Sequence, residues 1–209
     1  MFLVYNIHNY VDADNIIALL GRLKMRYKEK VKMMIDDNEN GLNELIQQRI
    51  DIWFEHVVFS EIWWLGVLLS VVPWLYWIKY RKKDSSNRLL FVGCFVALIS
   101  LCLDITGAQL GLWHYRFVVI PLLPTYLPWD ITLMPLSIMF LIQFKPKISP
   151  YIKAPIFAFL TSYIGEPIFH WLGVYILDKW NYSYSVPIQF LIYLIAHYLS
   201  RRENFSHIT

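Results

Sequence analysis

The chain has 209 residues and a formal charge of +3, with 57% hydrophobic, 17% aromatic and only 17% charged residues, against roughly a quarter charged in an average soluble domain. Mean hydropathy is positive and the apolar residues come in long runs, which points to a membrane protein and excludes an ordinary soluble core with polar positions at every helical turn. No nucleotide-binding loop, Ser/His/Asp order or nucleic-acid signature is present, so nucleic acid is excluded as a partner and the bilayer is the first partner expected.

Residues 1–52 differ from the rest, holding seven of the 19 Lys and Arg and eight of the 16 acidic residues. Ile16, Leu20, Leu23, Tyr27, Val31 and Met34 recur every three or four positions, so an amphipathic helix is expected there, with Asp12 or Asp14 as N-cap. "DDNENG" (Asp36 to Gly41) reads as a turn, after which Leu42, Leu45, Ile46, Arg49 and Trp53 begin a second helix. Such an arm covers the protein's own membrane part, lies on lipid, or docks on a partner membrane protein or a second copy of the chain. The first residues lack the basic start and apolar core of a cleavable signal peptide, so the first span is expected to act as its own insertion signal.

Residues 53–203 are expected to form a five-helix transmembrane domain, followed by a tail over 204–209. The spans are Phe54 to Ile78, Leu89 to Leu110, Pro128 to Phe144, Ile152 to Leu177 and Val186 to Leu199. The predicted fold class is therefore all-α, a polytopic membrane helical bundle with an N-terminal helical arm. Lys79, Arg81, Lys82, Lys83, Arg88, Lys145, Lys147, Lys153, Arg201 and Arg202 fall on one side, and only Arg116 and Lys179 on the other. That bias puts the C-terminus in the cytoplasm and the arm outside. Aromatic residues at span ends, among them Trp63, Trp64, Trp113, Tyr115, Trp129, Trp180, Tyr182 and Tyr184, are expected to form an outer interfacial belt. No internal repeat is evident. Cys94 and Cys102, eight residues apart in the second span, stand about 12 Å apart along a helix, beyond disulfide reach, and read as apolar filler.

Within the spans, five ionisable residues fall at similar heights. Counted from the cytoplasmic ends at about 1.5 Å per residue, Glu166 lies about 18 Å up, Asp130 about 21 Å, Asp104 about 22 Å, His170 about 24 Å and Glu61 about 25 Å. A carboxylate in hydrocarbon costs roughly 2.5 to 3.5 kcal/mol, so these groups are expected to face the bundle interior and meet partners or water. Asp104, Glu166 and His170 are the candidate centre, Glu166 and His170 sharing a helix face at four-residue spacing. Pro167 removes a backbone donor and frees the carbonyl of Tyr163. Asp130, just after Pro128, also suits a first-turn acid, and Glu61, beside a Trp pair at the outer boundary, also suits a wetted surface position. His114 and Arg116 read as interface residues and His197 as surface.

The segments "DIWFEHVVFSEIWWLGVLLSVVPWLYWIKY", "LDITGAQLGLWHYRFVVIPLLPTYLPWDITLMPLSIMFLIQF" and "YIGEPIFHWLGVYILDKWNYSYSVPIQFLIYL" resemble, in order and spacing, a family of small uncharacterised membrane proteins of spore-forming Gram-positive bacteria. The marks are Trp63, Trp64, Pro73, Trp74, Asp104, Gly107, Trp113, Tyr115, Pro128, Asp130, Pro135, Gly165, Glu166, Pro167 and Trp171, over about residues 50–200. The resemblance implies a five-span fold and a bacterial plasma membrane, and brings no activity or cofactor with it. The arm lies outside the match. A fainter likeness, Trp-x-Tyr followed by Pro-x-acid on the next helix, is similar to membrane-embedded lycopene cyclase domains, which usually carry two adjacent acids where this chain has the single Asp130 of "PWD".

Three functions are consistent with these residues. The leading expectation is a non-catalytic accessory, sensor or scaffold protein of the envelope, with the acids and His in a satisfied polar network. The second is a small intramembrane enzyme acting on a lipid or isoprenoid, with Glu166 or Asp104 as general acid and His170 as orienting partner or base. A variant places a metal on Asp104, Asp130, Glu166 and His170. The third is a proton- or cation-coupled carrier with the acids on a permeation route, for which five spans without an inverted repeat fit a monomer poorly and a dimer would supply the symmetry.

Overall fold

The computed structural model describes residues 13–202 and is mostly helical. Asp12, one of the two expected N-caps, and the tail over 204–209 lie outside the described residues. The chain divides into two compact units, Met1–Arg49 and Ile50–Thr209.

In the first unit a single helix, α1 (Ala13–Ile52), replaces the expected pair. "DDNENG" is helical throughout, and Asp14 is the second residue of the helix rather than its cap. Nothing in that hexapeptide forbids a helix. It has no proline, and its one glycine costs only about 1 kcal/mol relative to alanine. The apolar stripe is exposed along its described length, with Leu20, Leu23, Tyr27 and Met34 all at least half accessible.

The second unit begins with a π-turn over Trp53–Val57, after which Phe59 adopts φ 65° and Ser60 caps α2 (Glu61–Tyr80) by accepting from Trp63 N–H. The expected first span is thus broken at residues 58–60. Next come α3 (Ser86–Gln109), the strand β1 (Trp113–Tyr115), and a loop that ends in a second π-turn, Pro128–Leu133, leading into α4 (Met134–Gln143). Then α5 (Pro150–Leu160), a third π-turn (Thr161–Gly165) and α6 (Glu166–Trp171) form one uninterrupted helical stretch. The strand β2 (Tyr175–Leu177) and α7 (Tyr182–Ser200) complete the described chain. By length and composition two helices can cross a membrane, Glu61–Tyr80 and the stretch Lys83–Gln109 that contains α3.

The expected fourth span stops short at Trp171, and its last residues instead pair as β2 with β1 in a short antiparallel ribbon, Trp113 opposite Leu177, His114 opposite Ile176 and Tyr115 opposite Tyr175. Each strand follows a helix that ends on a left-handed glycine, Gly111 at φ 65° and Gly173 at φ 72°, a conformation only glycine adopts at little cost. The two halves match in sequence. Asp104 stands seven residues before Gly111 and Glu166 seven before Gly173, and each glycine is followed by an aliphatic residue and then an aromatic one, Leu112–Trp113 and Val174–Tyr175. The strand register is symmetric about the His114–Ile176 pair. A short internal repeat is therefore present where the sequence showed none.

The core is hydrophobic, built around Val92, Val96, Met134, Ile138, Phe157 and Tyr193, and it also buries polar residues while many large apolar ones face out. Ser100, Asp104, Thr125, Asp130, Thr132, Glu166, Ser185 and Gln189 are buried, whereas Leu68, Val72 and Leu75 of α2, Leu98 of α3, Ile156 and Phe159 of α5, and Leu191 and Ile195 of α7 are exposed. Cys94 and Cys102 are free and exposed. At the end carrying Gln143, the buried ammonium of Lys153 donates to the carbonyls of Leu141 and Phe144 at 2.6 Å each, which satisfies the C-terminus of α4.

The ribbon is held against α3 by a close approach. A methyl group at Gly107 would stand 2.1 Å from the Trp113 ring. Gly107→Ala is predicted to cost about 1–3 kcal/mol by overpacking, seen as a lower thermal midpoint in detergent and a shifted tryptophan emission. Gly41→Ala in α1, where nothing lies within 4 Å, should instead stabilise the local helix by about 1 kcal/mol, read by amide exchange.

Candidate functional site

Three carboxyl groups that are remote in sequence line one cavity. Asp104 comes from the last turns of α3, Asp130 from the π-turn before α4, and Glu166 from the first residue of α6. All three are buried, at 7%, 1% and 8% exposure. The cavity offers about 90 Å³ to the centres of water-sized molecules, room for several waters, and about 680 Å³ of empty space when its open mouth is counted. Aromatic rings, among them Trp113, Tyr115, Tyr126, Trp129 and Tyr175, share its walls with aliphatic and polar side chains.

Two of the acids follow the same local rule. Each stands at a π-turn next to a proline: Asp130 is inside Pro128–Leu133, ahead of Pro135, and Glu166 closes Thr161–Gly165 and precedes Pro167. In each turn the bond runs back five residues, Met134 N–H to Trp129 O and Glu166 N–H to Thr161 O. A proline lacks the donor for its own turn and crowds the carbonyl four residues back, and a widened turn relieves that crowding. The widening also rotates the next helical turn about the axis, and this rotation decides which side chain turns inward.

Asp104 is fully engaged. Its Oδ1 accepts from Trp113 Nε1 at 2.8 Å and Tyr115 Oη at 2.6 Å, and its Oδ2 from Thr125 Oγ1 at 2.7 Å and Tyr126 N–H at 3.3 Å. Burial first, and then the charge of Asp104, push the Tyr115 hydroxyl well above its ordinary pKa, so it stays a donor. Asp130 accepts from Ser100 Oγ at 2.5 Å and also meets Thr125 Oγ1. Thr125 has one hydroxyl proton but touches both aspartates. It therefore bridges the two carboxyl groups, Asp104 Oδ2 and Asp130 Oδ2.

Glu166 differs. Among the described residues its one hydrogen-bond donor is Ser185 Oγ at 3.0 Å, and Ser185 in turn accepts from Trp180 Nε1 at 3.0 Å. Two more polar atoms of cavity-lining residues, Tyr126 Oη and Gln189 Oε1, are buried with no protein partner.

His170 and Glu61 do not join this centre, a correction to the layer expected from sequence. His170 is exposed and bonds Tyr182 Oη through Nδ1 at 2.5 Å. The buried positions of α6 are Glu166 and Phe169, so the inward line lies on the three-residue side of Glu166 and leaves the four-residue neighbour outside. Glu61 is exposed in the first turn of α2, where a helix dipole favours an acid. Among the described residues no group of three His, Cys, Asp or Glu is placed to hold a metal ion, which removes the metal variant. His114, expected at an interface, pairs with Asp178 at 2.7 Å on the exposed side of the ribbon. His197, expected at the surface, is buried.

Thr125, Ser100, Ser185 and Gln189 were missed because isolated hydroxyl and amide side chains give no sequence signal. The tyrosine and two tryptophans assigned to the belt, Tyr115, Trp113 and Trp180, donate inward instead. The paired acid-to-glycine spacing was the signal that would have linked Asp104 with Glu166. No family model, no curated protein and no solved structure matches the chain.

Thr125→Val is predicted to destabilise the fold by about 1.5–3 kcal/mol, because it removes a hydroxyl that serves two buried acids. Adding Asp130→Asn to that variant should recover part of the loss, so a double-mutant cycle by thermal melting gives strong coupling. Additive effects would show that Thr125 does not bridge the aspartates.

Proposed function

We propose that the chain is a multi-pass protein of a bacterial plasma membrane and that its acid-lined cavity is a small intramembrane acid–base centre acting on a lipid or isoprenoid. The membrane reading is supported by two helices apolar enough to span and by the many large apolar side chains exposed on α2, α3, α5 and α7 while several polar residues are buried. Five spans, a cytoplasmic C-terminus, an external arm and membership of the uncharacterised family of spore-forming bacteria belong to the same proposal, resting on the charge bias and the sequence motifs.

One observation carries the catalytic reading, the contrast between Asp104, saturated by four donors, and Glu166, buried in the same cavity with one. An acid meant only to hold helices together gains from every donor it can collect. One that must deliver a proton needs a free edge facing its substrate. Glu166 donates its carboxyl proton to a double bond of the bound chain, and the positive charge that develops faces the aromatic rings and the carboxyl groups of Asp104 and Asp130. Loss of a proton from the neighbouring carbon back to Glu166 gives a rearranged product and restores the acid. The reaction is redox-neutral and needs no co-reactant.

The non-catalytic reading, an accessory, sensor or scaffold protein, draws its support from the four donors on Asp104. The two readings part at Glu166. In a strain whose deletion of this protein has a phenotype, Glu166→Gln is predicted to keep normal protein level and melting temperature while losing the phenotype and changing the isoprenoid isomers found by mass spectrometry of lipid extracts. A fully functional Glu166→Gln protein would support the scaffold reading and end the catalytic one.

A further inference from the structure

The opposite end of the helices carries a second cavity with the reverse chemistry. It measures about 200 Å³ and is lined by Lys82, Ser85, Arg88, Gln143, His197 and Arg201, among other residues, and no carboxylate lines it. Arg88 is on the first turn of α3 whereas Asp104 is near its end, so the two cavities stand roughly 24 Å apart along that helix.

Placement of basic residues on the cytoplasmic side accounts for their number but not for this arrangement. Among the described residues no carboxylate forms an ion pair with Lys82, Arg88 or Arg201. Arg201 is oriented by one bond, from Nη2 to Pro146 O at 3.1 Å, which leaves its other donors for a ligand. The backbone here is braced, since Gln143 accepts from Lys82 N–H at 3.2 Å and donates to Tyr80 O at 3.4 Å. Ser85, the N-cap of α3, makes no side-chain cap hydrogen bond, and it lines the cavity. Most telling is His197. Its side chain is more than nine-tenths buried, it lines this cavity, and its Nδ1 has no hydrogen-bond partner. A buried polar atom without a partner costs about 1–3 kcal/mol unless a ligand or water supplies one.

We propose that this cavity binds a phosphate group, with Arg88, Arg201 and Lys82 neutralising its charge and His197 and Ser85 completing its hydrogen bonds. The phosphate is carried by the head of an anionic phospholipid or is free in the cytoplasm, and the chemistry is the same for both. The site stands independently of the acid cavity's role.

The test uses the full chain purified in a neutral detergent, with thermal melting followed as phosphatidylglycerol, phosphatidylcholine, inorganic phosphate or chloride at matched ionic strength is added. A saturable rise in melting temperature with phosphatidylglycerol alone identifies a lipid head. The same rise with inorganic phosphate identifies a soluble anion. Arg88→Gln and Arg201→Gln should each weaken the midpoint concentration at least tenfold while melting normally without ligand, and Lys82→Gln, at an exposed position, provides a third variant should either fail to fold. Equal stabilisation by matched chloride, or unchanged midpoints in the folded variants, would overturn the proposal.

Discussion

The carboxylate of Asp104 governs the architecture of the second unit. An ionised group removed from water is stable only if its oxygens find donors, and here all four come from residues 113–126, a segment with little regular structure of its own. Satisfying one acid therefore folds the whole connection between α3 and the next helix back over the end of α3. Tryptophans fasten the same connection from the other side, with Trp53 Nε1 donating to Val118 O at 2.7 Å and Trp63 Nε1 to Val119 O at 3.1 Å. The cavity's roof is thus a consequence of hydrogen-bond demand, and its aromatic character arises because Trp and Tyr bring a donor on an apolar body.

The prolines act at a second level. Each of the two helices that bring Asp130 and Glu166 into the cavity has a widened turn before a proline, and in each the acid is placed where the helix is least regular. Four-residue spacing alone would put Glu166 and His170 on one face. Instead Phe169 shares the interior with Glu166, where its ring meets Tyr126 and Trp129 edge-on at 5.4 Å in both cases, and His170 is left to Tyr182. The helix breaker beside an acid is thus what turns that acid inward.

These levels explain how much was legible in the sequence. Helical class, the two long apolar helices and the inward turn of Asp104, Asp130 and Glu166 come from composition and the cost of burying charge, which operate on any bundle. The ribbon was not legible, because Trp113–Tyr115 and Tyr175–Leu177 are three residues each and read equally well as helix ends. The outward facing of His170 and Glu61 was not legible either, since a ruler of fixed rise gives a residue's height along its helix and not the side it faces. In α1 the error ran the other way. Polar residues over Asp36 to Gly41 suggested a turn, but a solvent-facing helix tolerates them, and only the chain as a whole shows that none is needed.

The internal repeat gives the site its logic. Asp104 and Glu166 hold corresponding positions before corresponding glycines, and the ribbon pairs their two halves symmetrically. Symmetry would give both acids the same surroundings, yet the loop after β1 supplies Thr125 and Tyr126 to Asp104, and the much shorter connection after β2 leads straight into α7, whose first turn gives Glu166 the hydroxyl of Ser185. Loop length therefore breaks the equivalence, making one acid a fixed anchor and leaving the other with an open edge. A centre that needs a steady charge beside a mobile proton requires that inequality, and a purely structural pair would have no use for it.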